Sequence, residues 1–153
     1  MIALPEGNMK RILCMILVAA AAVLMLTACG STQKLDRIDT GSVKHITVAT
    51  EANAEPKFDI IKRKGVVVLV DLYDSAEFTE TDEVKAEELL AETLYHFKFY
   101  DYQEKLIAEY SLSPQGYLFK GDDLTKPYKL TKDFDEESIT QTAELYDKNA
   151  LPQ

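Results

Sequence analysis

Hydrophobic and polar positions follow three regimes along the chain. Residues 12–26 are continuously apolar, fifteen positions without a charge, while residues 30–43 are polar and show no apolar period. From His45 onward the apolar residues recur with the periods of strands and helices. Ile46 and Val48, then Phe58 and Ile60, alternate with polar neighbours around a turn-like stretch at 53–56, which predicts a β-hairpin. The alternation is plainest at 93–101, where Tyr95, Phe97 and Phe99 interleave with His96 and Lys98. A turn around residues 102–104 leads into a second strand with Leu106, Ala108, Tyr110 and Leu112 on one face and Glu109 and Ser111 on the other. Ser113-Pro114-Gln115-Gly116 has Pro and Gly where a tight turn takes them. Short strands at 117–120 and 126–130 complete an antiparallel meander, Pro127 suiting an edge or a strand start.

Helical signals flank this meander. Residues 81–92 read as a short helix with Thr81 as N-cap and Ala86, Leu89 and Leu90 on one face. Near the C-terminus Ile139, Ala143 and Tyr146 form a stripe, and Asp133 and Glu136 have capping-box spacing. Residues 66–73 fit two templates. The valine run favours a strand, yet Val66, Leu69, Val70 and Tyr73 also stand at i, i+3, i+4 and i+7, one face of a helix.

The apolar segment 12–26, preceded by Lys10 and Arg11, has the layout of an export signal, expected to start at Met9. It ends in Leu26-Thr27-Ala28-Cys29, which resembles the lipobox of bacterial lipoproteins. That resemblance implies a diacylglycerol thioether on Cys29 and cleavage between Ala28 and Cys29. It places the protein on the extracytoplasmic face of a cell membrane. The expected organisation is a signal peptide at 1–28, a lipidated flexible tether at 29–43, and one domain at 44–150. With Cys14 removed and Cys29 acylated, the mature chain holds no free thiol.

Phe97-Lys98-Phe99-Tyr100-Asp101 and Lys105-Leu106-Ile107, with Asp74-Ser75 at the expected helix end, resemble small uncharacterised lipoproteins common in Gram-positive bacteria. The likeness spans most of residues 46–130 and favours helix for the valine run. Such hairpin turns usually carry Gly where this chain has Glu104, so a different loop shape is expected. The resemblance implies no activity.

Charge narrows the partners. The chain has 17 basic and 26 acidic residues, a net charge of −9, and removal of the signal leaves it near −10. Such a surface repels nucleic acid and points to cationic partners, if charged ones are bound. His45 and His96 are the two histidines. They lie in no metal-ligand spacing, and the chain has neither a Gly-rich phosphate loop nor a nucleophile elbow, so no metal, cofactor or catalytic residue is assigned. Gly121-Asp122-Asp123-Leu124-Thr125 lacks the alternating ligands of a calcium loop. The aromatic stripe reads as core, leaving Tyr100 and Tyr102 at the turn as exposed contacts.

The sequence thus predicts an α+β domain: an antiparallel meander of five or six short strands with two or three helices packed on one face. The leading function is a lipid-anchored, non-enzymatic binding or interaction protein of unknown ligand. An immunity or inhibitor protein against a cationic enzyme or peptide is the alternative, and a carboxylate-based hydrolase a second one.

Overall fold

The computed structural model describes residues 31–51, 54–132 and 135–150. The signal segment, the 26–29 motif and the lipid site at Cys29 lie outside them. The fold that follows is that of the compact unit that begins at Thr32.

It is an α+β fold built mainly of sheet. The strands are β1 (Gln33–Lys34), β2 (Val43–Ala49), β3 (Phe58–Ile60), β4 (Glu77–Glu80), β5 (Tyr95–Asp101), β6 (Leu106–Leu112), β7 (Tyr117–Lys120) and β8 (Tyr128–Leu130). The helices among the described residues are α1 (Arg63–Ser75), α2 (Ala86–Leu90) and α3 (Glu136–Tyr146). All eight strands join one antiparallel sheet in the order β1-β4-β8-β7-β6-β5-β2-β3. The expected hairpin and meander are its central and right-hand parts. The count of five or six strands was low because β1 and β4 give no pattern to read. Each is short, and Phe78 is the single strongly apolar residue of Glu77–Glu80.

The valine run is helical. Val66, Leu69, Val70 and Tyr73 are buried, and Val67 and Val68 face outward. The four-residue stripe outweighs β-branching because it can be buried as one face on a ready-made apolar sheet. Tyr73 meets Phe99 and Tyr110 with ring centroids 5.2 Å apart in each case. Phe97 stacks on Tyr110 at 4.8 Å, so the aromatic stripe is core. Ile139 and Ala143 of α3 belong to the same cluster, whereas Leu89 of α2 packs with Leu94 and Phe119 in a separate one. Phe119 alternates with Leu118, so that second cluster lies on the other side of the sheet from the first.

Other expectations are corrected. The tether does not extend to residue 43: Gln33 and Lys34 pair with Phe78 and Glu77, Ile38 is 9% exposed, and its amide donates to Asp74 Oδ1 at 3.0 Å. Leu35 and Ile38 are isolated plugs with no period, which is why the stretch looks like linker. The second helix is only Ala86–Leu90, Thr81 serving as a turn acceptor for the Glu83 amide. The cap of α3 is Asp135, whose side chain accepts from the Ser138 amide. Glu104 adopts φ 61°, so a glutamate takes the left-handed turn position that glycine would occupy with less strain.

Candidate functional site

Strand alternation gives the sheet a second face that carries nearly opposite chemistry to the core. Cross-strand register sets Asp59, Thr47, Lys98 and Glu109 in one row. Ala49, His96, Ser111 and Phe119 form the next. An open cleft of about 370 Å³ lies over these rows. Thr47, His96, Lys98, Glu109 and Ser111 form its floor, and Tyr100 closes one side. Glu51, Ala54 and Pro56 stand along one wall, and Gly121, Asp122 and Leu124 along the other.

Local structure explains that second wall. The Gly121 amide donates across to the Glu109 carbonyl at 3.1 Å beside the Tyr110–Lys120 pair, and the glycine takes φ 61° where β7 ends. Asp122, which follows that glycine, lines the cleft. Leu124 is anchored beside Phe119 in the second cluster. The Asp123 carboxylate accepts from the Thr125 amide at 2.9 Å, so this loop uses that side chain to hold its own backbone.

Three carboxylates (Glu51, Glu109 and Asp122) and one ammonium (Lys98) line the cleft. Lys98 and Glu109 are 3.8 Å apart, too long for a tight charge-assisted bond. His96 Nδ1 lies 2.7 Å from Ser111 Oγ. Burial pushes the His96 imidazole below its usual range and Lys98 adds to the effect, so the neutral ring is favoured. Ser111 is 3% exposed, which keeps its hydroxyl from a substrate. The pair therefore satisfies two polar groups within the floor. Among the described residues no group of three or more His, Cys, Asp or Glu can hold a metal ion.

A base whose folded pKa is lowered stabilises the fold fully above its unfolded pKa, about 6.5, and loses that contribution as pH falls toward the folded value. Stability is expected to drop between about pH 7 and about pH 5 by a larger amount in the native chain than in His96→Gln. Urea titrations of both at the two pH values measure it. An equal drop in both would remove His96 from the acid response.

A second titratable cluster borders the cleft. His45 and Tyr100 stand opposite each other in register, and their rings stack at 4.9 Å and 25°. Two bulges create this end of the sheet, one between Val43 and His45 and one beside Phe99 and Tyr100. Regular alternation from Ile46 would turn Val43 outward; the extra residue returns it to the core at 1% exposure. His45 Nδ1 is 2.7 Å from Asp59 Oδ1, and Nε2 is 2.9 Å from Glu104 Oε2. Lys148 Nζ reaches Asp59 at 3.2 Å, Lys44 pairs with Glu104, and Asp147 accepts from the Asp59 amide at 2.7 Å. Lys44 and then His45 hold the Glu104 carboxyl below the usual carboxylate range.

Of the aromatic pair expected at the turn, Tyr102 is 62% exposed, while Tyr100 is half-buried between the cleft and His45. The carboxylates of the cleft come from three separate segments, and sequence reading did not assemble them. The available signal was the outward set of neighbouring strands: His96 and Lys98 beside Glu109 and Ser111. On the helix-covered side, an apolar hollow of about 190 Å³ has Leu72, Tyr110, Leu112, Leu130 and Ile139 in its walls.

No helix among the described residues is long and apolar enough to cross a membrane. Comparison with protein-family models, curated proteins and solved structures finds no match to the chain.

Proposed function

We propose that this chain is a lipid-anchored, extracytoplasmic, non-enzymatic binding protein whose open cleft takes a cationic group, a basic peptide side chain above all. The observation that carries the ligand class is the acid excess of the cleft, with Glu51, Glu109 and Asp122 set around Lys98 and beside the Tyr100 ring. A cation entering there displaces Lys98 from a loose pairing with Glu109 and gains an aromatic face at the same time. The net charge of −9 attracts such a ligand from a distance. The location rests on the Leu26-Thr27-Ala28-Cys29 motif and the apolar run before it. Anchoring raises local concentration at a surface, so modest affinity is sufficient for function.

Calorimetric titration with a lysine-rich decapeptide and its glutamate counterpart tests the ligand class. Binding is expected for the lysine peptide alone, and Glu109→Gln combined with Asp122→Asn should weaken it at least about 10-fold. Equal binding of both peptides, or no response to the double substitution, would exclude the cleft as a cation site. The anchor has a separate test in Cys29→Ala, where processing and membrane retention should both be lost. Retention unchanged in that variant would overturn the anchor and leave the cleft result standing.

A further inference from the structure

We propose that Asp59, His45 and Glu104 form a proton-operated latch that holds the β5–β6 hairpin tip and the Tyr100 wall of the cleft in place. An ionised carboxylate only accepts, and a neutral imidazole carries a single N–H. His45 meets a carboxylate oxygen at each ring nitrogen, at 2.7 and 2.9 Å. Both contacts are hydrogen bonds only while the ring carries two protons.

The surrounding charges agree. Asp59 of β3, Glu104 of the turn and Asp147 after α3 supply negative charge. Lys44 of β2, Lys148 after α3 and a protonated His45 balance them one for one. Tyr100 of β5 covers the ring. Asp101 faces the turn's own amides instead, accepting from Gln103 and Lys105 at 2.8 and 3.0 Å.

Loss of one proton leaves one carboxylate facing a bare nitrogen lone pair. Asp59 stays, because its side chain is only 21% exposed and it lies within β3 with its amide bonded to Asp147. Glu104 releases the ring: its side chain is 57% exposed, Oε2 is hydrated once free while Lys44 keeps Oε1, and the residue sits at a positive φ that the latch helps to maintain. Stacking on Tyr100 weakens in the same step, since an imidazolium binds an aromatic face more strongly than a neutral ring does. Loss of that proton as the pH rises therefore loosens one side of the cleft. The consequence for a ligand rests on the cleft reading above; the latch itself does not.

Nuclear magnetic resonance of the full chain in lipid nanodiscs reads the latch directly, without any ligand. At the acid end the ring ¹⁵N signals of His45 should show both nitrogens protonated. The amides of residues 101–106 and the Tyr100 ring should shift with the same midpoint as His45. In Glu104→Gln the hairpin response should vanish while His45 still titrates, because a neutral amide can bond either form of the ring. Hairpin and Tyr100 signals that stay fixed while His45 titrates would overturn the proposal, as would a native-like hairpin response in Glu104→Gln. Abolished lysine-peptide binding with an intact latch response would count against the cleft reading alone.

Discussion

Gly65→Ala should destabilise the domain by about 2–3 kcal/mol, against the gain an alanine normally brings to a helix interior. Gly65 is buried on α1, where the helix runs onto β3 and α3. A Cβ there would come within 2.8 Å of Ile60 Cγ2 and closer still to Tyr146 Cβ. Ile60 is fully buried at 0% exposure. Neither contact is the free end of a flexible side chain, so relief requires α1 and α3 to separate. Helix propensity alone favours alanine by about 1 kcal/mol, so the two effects have opposite sign. Urea unfolding gives the answer from the direction of the midpoint shift. A higher midpoint would mean that α1 and α3 do not approach as closely as described.

Tyr110→Phe should move stability the other way, upward by about 1–2 kcal/mol. Tyr110 is 2% exposed, and its hydroxyl has no hydrogen-bond partner among the described residues. Burial pushes its phenol far above the usual range, with Tyr73 contributing. The ring itself is well placed, stacked on Phe97 and flanked by Tyr73 and Phe99. Deleting the oxygen keeps those contacts and removes a polar group that exchanged water for nothing. The same urea titration measures it. A loss above about 1 kcal/mol would show that the hydroxyl is satisfied, by an ordered water held within the core.

These two residues also show where the sequence was legible. The outward–inward alternation of β5 and β6 is written in single residues, so the pattern alone marks Phe97, Phe99 and Tyr110 as core. The helical stripe of α1 is legible too, although the valine run supports a strand equally until an apolar sheet is there to receive one face. The sequence says nothing of why Gly65 must be glycine, because Tyr146 comes 81 positions later. The latch is hidden for the same reason. His45, Asp59 and Glu104 are unremarkable in line, and only two bulges and the β2–β3 and β5–β6 turns bring them together. Periodicity reports which face a residue takes; it does not report which residue it faces.

The N-terminal edge of the sheet has a mechanical side. Any pull on residues preceding the sheet enters the domain through Gln33 and Lys34, an edge strand two residues long. That pairing has little to resist with, and the next firm hold along the chain is Ile38, plugged into the core and tied to Asp74. Under load β1 should peel first and release residues 33–37, extending the chain by up to about 3.3–3.6 Å per residue before the core feels tension. The first strand then acts as a short elastic reserve, folded in at rest and paid out when the domain is tugged.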